Sequence, residues 1–297
     1  MQNIALVFGA DVSGGAQRPM APALHLRTDR LTLACDPPAP RANNGYTPTE
    51  CYAVASAEVR ASIRHALHAH GYTHCILSPL IEGGSHLPAD WPTGDLLDQP
   101  EPFRQMCQEL YDDGIWPVVE AGLEDAPRGQ QKYGLHGYVV ALSWLVASCQ
   151  SVVAHWIVGV EATEWVGQML GLRKESLRAF QELHQIGLTL HVRTGLKFGV
   201  HLNTGPALVA DDGRWLKEGM WGPPGDERAW LREASSWMSA LHYQFGFGHS
   251  PRYIRTRTLE IARAVEACGV SFVGAEYSLT QASKSLALGT EIAALGY

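Results

Sequence analysis

Apolar positions along the chain follow two alternating patterns. Stretches with apolar residues at every third or fourth position end at a glycine, and a short continuous apolar run follows at once. Four such passages have their glycine at Gly71, Gly114, Gly195 and Gly269. A glycine just past a helix allows the left-handed backbone that closes it, and a continuous apolar run is typical of a buried parallel strand. The pattern therefore predicts amphipathic helices that each lead into a parallel strand.

The spacing of these units predicts the fold class. The helical stripes are one-sided, as in Val59, Ile63 and Leu67, which is the pattern of helices that cover a sheet. Strand centres fall near residues 33, 75, 118, 158, 199, 243 and 273, so a unit is about 40 residues long until the last one. Regular alternation of this kind favours an α/β fold, a (β/α)8 TIM-like barrel, over an open doubly wound sheet.

The same pattern predicts the domain boundaries and the loops. We expect residues 31–297 to form a single barrel domain and residues 1–30 to form an N-terminal segment, in which 4–8 supply a hairpin or an extra strand. Stretches at 79–100, 123–134 and 205–226 are expected to be long loops at the C-terminal rim. In a barrel of this type that rim carries the active site.

Charge and composition exclude several classes of protein. The formal net charge of the 297-residue chain is −7 and no run of Lys or Arg occurs, so we expect no nucleic-acid partner. No apolar stretch approaches the length of a membrane span, and residues 1–10 lack the pattern of a signal peptide. We therefore expect a soluble protein made in a cytoplasm, with no membrane insertion.

No motif for a metal or a cofactor occurs in the sequence. There is no GxGxxG, GxxxxGK or HExxH, and the His65, His68 and His70 cluster is expected to be a solvated helix face. The six cysteines form no CxxC pair, so we expect free thiols, with Cys75, Cys107 and others packed as small apolar residues. We predict neither a metal nor a cofactor.

Polar side chains end several of the predicted strands, all at the same end. In a barrel these positions converge on the C-terminal mouth, where they could contact a substrate. The residues are Glu120, Glu161, His201 with Asn203, Tyr243 with Gln244, and Glu276, while His242 is a further candidate hydrogen-bond donor.

Glu161 and Glu276 are the candidate catalytic residues. They end the fourth and seventh strands, and this arrangement resembles the retaining glycosidases on (β/α)8 barrels, whose acid/base follows strand four and whose nucleophile follows strand seven. That chemistry needs two carboxyl groups across one sugar, one protonated and one ionised. The family usually has Asn before its acid/base, whereas Val160 stands here. Two alternatives stay open: each Glu is a strand-end residue bonded to a neighbouring Arg or backbone amide, or Glu164 replaces Glu161.

Nine tryptophans are compatible with a sugar-binding site, because indole rings stack on sugar faces. Trp215 and Trp221 lie in a Gly- and Pro-rich stretch, as does Trp91 in another, and they are candidates for a binding rim. Three further tryptophans lie in apolar periodic segments and are expected to be core residues: Trp116, Trp144 and Trp156.

Over residues 71–297 the chain also resembles barrel proteins carried in the virions of tailed bacteriophages. The similar passages are the strand end before Glu161 with Trp165, the strand through His201 with its Trp-containing loop, Tyr243-Gln244, and Ala275-Glu276-Tyr277-Ser278. The resemblance implies a tail-associated, glycosidase-like protein that contacts host surface glycan and other virion proteins.

Two alternatives to a glycan-directed protein remain at this point. One is a non-catalytic structural virion subunit that uses the barrel as a scaffold. The other is a cytoplasmic barrel enzyme for a small metabolite, which would need a phosphate-binding glycine loop near the last strands; Tyr277-Ser278-Leu279-Thr280 after Glu276 supplies none.

Overall fold

The protein was studied as a computed structural model. It describes residues 33–34, 49–69, 73–82, 91–123, 126–159, 162–171, 177–203, 226–244, 264–265 and 267–275. The chain divides into two compact units, residues 29–160 and residues 161–297 with 1–28. The single domain over 31–297 and the role of residues 1–30 stay predictions.

The unit 29–160 is built of β/α repeats around a parallel sheet. Its strands are β1 (Leu33–Ala34), β2 (His74–Leu77), β3 (Leu80–Ile81), β4 (Gly94–Asp95), β5 (Trp116–Glu120) and β6 (His155–Ile157). Its helices are a 3-10 helix (Thr49–Val54), α1 (Ala57–Ala69), α2 (Pro100–Asp112) and α3 (Pro127–Cys149). The strands β1, β2, β5 and β6 lie side by side in that order, and every pair is parallel.

The unit 161–297 has the same organisation. It contains α4 (Ala162–Met169), α5 (Leu177–Thr194), β7 (Phe198–Asn203), α6 (Asp226–Ala234), β8 (Met238–Gln244) and β9 (Ser271–Ala275). The strands β7, β8 and β9 are neighbours and pair in parallel. Each of the seven strands with a predicted centre is therefore present, within three residues of that centre.

Three of the four predicted helix-closing glycines lie in described residues, and all three are left-handed. The φ angle is 75° at Gly114, 72° at Gly195 and 71° at Gly269. A Cβ added at any of them would meet nothing within 4 Å. Glycine is therefore required at these positions by the backbone conformation and not by lack of space.

The helical stripes face the core as predicted. Ile63 and Leu67 of α1 are buried, as are Phe103 and Leu110 of α2. Within the sheet of the unit 29–160 the buried apolar cluster consists of Ile76, Val118 and Ile157. Because these side chains come from three adjacent strands, burying them ties the parallel ladder together.

The described cysteines confirm the prediction of free thiols. Cys75, Cys107 and Cys149 are buried free thiols, Cys268 is a half-buried free thiol, and Cys51 is also buried. Burial raises the pKa of the Cys149 thiol to about 12 and also raises the pKa of Cys75 and Cys107. Since the thiolate is the reactive form, these side chains act as small apolar residues in the folded protein.

Trp144 corrects one of the expectations about the core. Its side chain is 66% exposed, whereas Trp156 is buried and Trp116 is half-buried with its ring edge-on to Tyr111. Helix α3 buries the face that carries Leu142, Leu145 and Val146, and Trp144 lies on the other side. The helix is apolar around much of its circumference, so the sequence pattern does not identify its exposed face.

Two of the three predicted loops contain regular structure. Within 79–100, Leu80 pairs with Asp95 and Ile81 with Gly94 to form the antiparallel ladder of β3 and β4. Within 123–134, helix α3 begins already at Pro127 and is interrupted at Gly134, where φ is 59°. The third loop, 205–226, lies outside the described residues except for its last residue, and the possible strand at 4–8 lies wholly outside them. No helix in the described part of the chain could cross a membrane.

Candidate functional site

The carboxyl ends of β7, β8 and β9 bring predicted site positions together. Asn203 pairs in register with Gln244, and Gln244 pairs with Ala275, the residue before Glu276. One step earlier, Tyr243 pairs with Leu202 and with Gly274. Consecutive strand positions alternate between the two faces of a sheet, so positions 243 and 244 belong to different faces.

His201 and His242 lie side by side on adjacent strands of this sheet. They are partners in the register of β7 and β8, and each side chain is only 2% exposed. In-register residues of a parallel pair share one face, and a neutral imidazole offers one donor and one acceptor. Two histidines on a single buried face are unusual in an apolar core, and a contact of His201 with a substrate stays a prediction.

Glu120 is a buried carboxylate at the carboxyl end of β5, in the other unit. It is the last residue of the strand, pairs in register with Ile157 of β6, and is 6% exposed. The amide of Ala121 donates to the carbonyl oxygen of Ile157 at 3.0 Å, so strand pairing continues one residue beyond it. Glu120 therefore lies at the strand end that the sequence predicts, and its contact with a substrate stays a prediction.

The three residues after Glu120 are held by side chains of helix α3. The Tyr138 hydroxyl donates to the carbonyl oxygen of Ala121 at 2.5 Å, and the Gln130 amide donates to that of Leu123 at 2.6 Å. Residues 121–123 are all buried, although they belong to neither a helix nor a strand. Their carbonyls need partners from elsewhere in the fold, and α3 supplies two of them.

Glu82, just after β3, satisfies the start of α3. Its carboxylate accepts the backbone N–H of Arg128 at 3.0 Å and of Gly129 at 2.7 Å. A carboxylate is favourable there, because the first amides of a helix lack intrahelical partners and carry partial positive charge. Gly129 permits this close packing, since a Cβ at that position would come within 2.9 Å of Leu80.

A second polar group joins the β3–β4 ladder to α3. The Tyr133 hydroxyl contacts both carboxylate oxygens of Asp95 at 2.9 Å. The Lys132 ammonium lies 2.8 Å from Asp95 and 2.9 Å from Asp98. Burial raises the pKa of Tyr133, and its contact with Asp95 raises it further, so the hydroxyl stays a donor. These contacts are structural and fix the segment between β2 and α2 on the first turns of α3.

Several predicted site residues lie outside the described part of the chain. These are the candidate catalytic pair Glu161 and Glu276, and the rim candidates Trp215 and Trp221. The described chain stops two residues before Glu161, at Gly159, whose φ is 71° and whose amide donates to the Ile157 carbonyl oxygen. For Asn203, Tyr243 and Gln244 the backbone positions alone are described. The separation of the two carboxylates stays a prediction.

Among the described residues, no group of three or more His, Cys, Asp or Glu side chains is placed to hold a metal ion.

The sequence pattern did not identify Tyr138, Gln130 or Glu82 as residues that hold the segments near the strand ends. A usable signal was present for Tyr138 only, since a tyrosine inside an apolar helical stretch requires a partner for its hydroxyl.

Comparison with known proteins identifies the fold. No protein-family model and no curated protein matches the chain. A solved structure of a candidate α-L-fucosidase from Bacteroides thetaiotaomicron VPI-5482 is similar, with 8% identity, a TM-score of 0.51, and coverage of 95% of this chain and 87% of that one. A GH1 β-glucosidase from Exiguobacterium antarcticum B7 has 11% identity, a TM-score of 0.47, and coverage of 80% and 73%. A sugar phosphate isomerase/epimerase from Parabacteroides distasonis ATCC 8503 has 12% identity, a TM-score of 0.39, and coverage of 94% and 98%. The likeness to the candidate α-L-fucosidase, together with the two parallel β/α ladders, shows that the chain has an α/β fold of the TIM-barrel type.

Proposed function

We propose that the chain binds a host surface glycan at the carboxyl ends of its strands and hydrolyses it with Glu161 and Glu276. The observation that carries the proposal is the register of β7, β8 and β9, in which Asn203, Gln244 and Ala275 are neighbours. Glu276 follows Ala275 in the sequence, and the positions beside Ala275 in this row are those of the amide residues Asn203 and Gln244. The likeness to a candidate fucosidase agrees with this proposal at the level of the fold.

The proposed chemistry divides the work between two carboxyl groups. Glu276 is the nucleophile and Glu161 is the acid/base that protonates the leaving oxygen, as in a retaining glycosidase. A retaining mechanism requires a carboxyl separation of about 5–5.5 Å, and an inverting one about 6.5–9.5 Å. His201 and Asn203 are proposed to bond sugar hydroxyls, together with Glu120, Tyr243 and Gln244. Trp215 and Trp221 are proposed to stack on sugar rings.

The test compares glycan binding and glycan cleavage in matched variants. Purified protein is incubated with host capsule or lipopolysaccharide, and both bound glycan and released reducing ends are measured. We expect Glu276→Gln and Glu161→Gln to abolish cleavage while retaining binding. Glu58→Gln, which changes an exposed carboxylate of α1, is the control and should behave as the unaltered protein. Cleavage that survives in both site variants would remove the pair from the mechanism.

The virion setting is a separate part of the proposal and rests on the sequence resemblance alone. It predicts that the chain is found by mass spectrometry in purified tailed-phage particles released by cells that encode it, and that it associates with other virion proteins. A chain that stays in the cytoplasmic fraction when particles form would contradict this setting. If the chain occurs in particles but no variant binds glycan, the structural-subunit alternative replaces the proposed function.

A further inference from the structure

We propose that Tyr138 is a positioning residue that sets the place of Glu120 through the backbone of Ala121. This inference rests on the proposed function, in which the Glu120 carboxylate contacts the bound sugar. Tyr138 touches no substrate in this scheme. Its hydroxyl acts on the main chain one residue beyond the carboxylate.

The Tyr138 contact lies on the main chain one residue beyond Glu120. Glu120 is the last residue of β5, so regular pairing no longer holds the chain beyond the Ala121 amide. The carbonyl oxygen of Ala121 accepts a hydrogen bond from the Tyr138 hydroxyl. The next side-chain contact that is seen along the segment, from Gln130, is at Leu123 and therefore lies three residues from Glu120.

Helix α3 gives this contact a rigid base. The left-handed Gly134 divides the helix, and Tyr138 belongs to the later part. That part also carries the fully buried Leu145 and Val146, and the Tyr138 side chain itself has no exposed surface. The hydroxyl is therefore held by the core, whereas Gln130 belongs to the earlier turns that also bind Glu82 and Asp95. A hydrogen bond from this rigid part of α3 can therefore fix the position of the Glu120 side chain at the end of β5.

Burial makes the contact hard to replace. Ala121 is 1% exposed, so water has little access to its carbonyl oxygen when the hydroxyl is removed. The segment must then shift to find another partner or leave the acceptor less well satisfied. Displacement of a binding or catalytic group by about 1 Å is enough to lower activity strongly, which is why a remote hydroxyl can affect a site.

The experiment compares Tyr138→Phe with Tyr133→Phe. Both variants lose one hydroxyl from the same helix, but the hydroxyl of Tyr133 binds Asp95 and not the segment after β5. Hydrogen exchange of the amides of residues 120–123 is the direct measurement, made on the full chain after circular dichroism shows that both variants fold. We expect exchange to be roughly fivefold faster in Tyr138→Phe, as the loss of one ordinary hydrogen bond implies, and unchanged in Tyr133→Phe. Equal exchange in the two variants would overturn the proposal.

A double-variant cycle then tests the effect on Glu120. Affinity for capsule or lipopolysaccharide is measured for Tyr138→Phe, Glu120→Gln and the two combined. We expect Tyr138→Phe to weaken binding in the unaltered background by threefold or more, and to have no effect once Glu120 is replaced. Equal weakening in both backgrounds would show that the hydroxyl acts on stability and not through Glu120. A failure of the unaltered protein to bind any glycan would overturn the proposed function, while the exchange experiment would still decide whether Tyr138 holds this segment.

Discussion

His74 makes the stability of the fold sensitive to acid. It lies at the start of β2, is 1% exposed, and its Nδ1 is 2.8 Å from the Thr73 hydroxyl. Its Nε2 has no hydrogen-bond partner among the described residues. Burial lowers the pKa of His74 from its ordinary 6.5 to about 4. The folded chain therefore keeps this ring neutral under conditions where the unfolded chain protonates it.

The direction of the pH effect follows from proton linkage. Between pH 4 and pH 6.5 the unfolded state binds more protons at this site, so the free energy of unfolding rises with pH. The contribution is complete above pH 6.5 and is lost as the pH falls towards 4. A depression of this size corresponds to about 3 kcal/mol, an order-of-magnitude figure. The pKa of His155 is also lowered, to about 3, by burial and then by the charge of His74, so this residue acts in the same direction.

The perturbation is His74→Leu, which removes the titrating ring and fills a similar volume. Urea unfolding is measured at half-unit steps from pH 7 to pH 4.5, with His65→Leu on the exposed face of α1 as the control. We expect the unfolding free energies of the variant and the unaltered protein to differ by less than about 1.5 kcal/mol at pH 7. At pH 4.5 the variant should have gained about 2 kcal/mol relative to the unaltered protein. Parallel curves for the two proteins throughout this range would refute the reasoning.

Three further predictions concern single packing or polar contacts, each measured by urea unfolding. Gly187→Ala in α5 would place a Cβ 2.3 Å from the Trp237 ring, and we expect a loss of about 2 kcal/mol. The Cβ of Gly114→Ala would meet no atom within 4 Å, and only the φ of 75° is unfavourable, so we expect a loss of about 1 kcal/mol in the free energy of unfolding. A loss equal to that of Gly187→Ala would contradict the steric argument. Glu109→Gln weakens the bidentate contact with Arg60, at 2.8 and 3.0 Å, and should cost about 2 kcal/mol, whereas no change would show that the pair is screened by solvent.

The sequence predicts the strands well because the signals behind them are local. A closing glycine such as Gly114 or Gly195 is required by its own φ angle, which no distant residue needs to supply. The pairing of Leu80 with Asp95 joins residues far apart in sequence, and nothing in either short segment indicates it. The prediction that Trp144 is a core residue is wrong for a related reason, because only the packing of α3 decides which of its apolar faces is buried.

The candidate site could be predicted to a lesser extent than the fold. The polar residues that end the predicted strands place Asn203 and Gln244 at one edge of the sheet, and the strand register confirms that the two positions are neighbours. The contact from Tyr138 to Ala121 joins α3 to the segment after β5 across 17 residues of sequence. Contacts of this kind depend on tertiary packing, and no spacing along the chain encodes them.

Chemical labelling of the buried thiols can report how often the unit 29–160 opens. Cys75, Cys107 and Cys149 come from a strand and two helices of the unit 29–160, and their raised pKa values and lack of exposure keep them from alkylating reagents while the unit is folded. Cys268 of the other unit is half-buried and should be modified without unfolding. The rate at which iodoacetamide labels the first three, read peptide by peptide in a mass spectrometer, therefore measures how often that unit opens under native conditions, with no denaturant added.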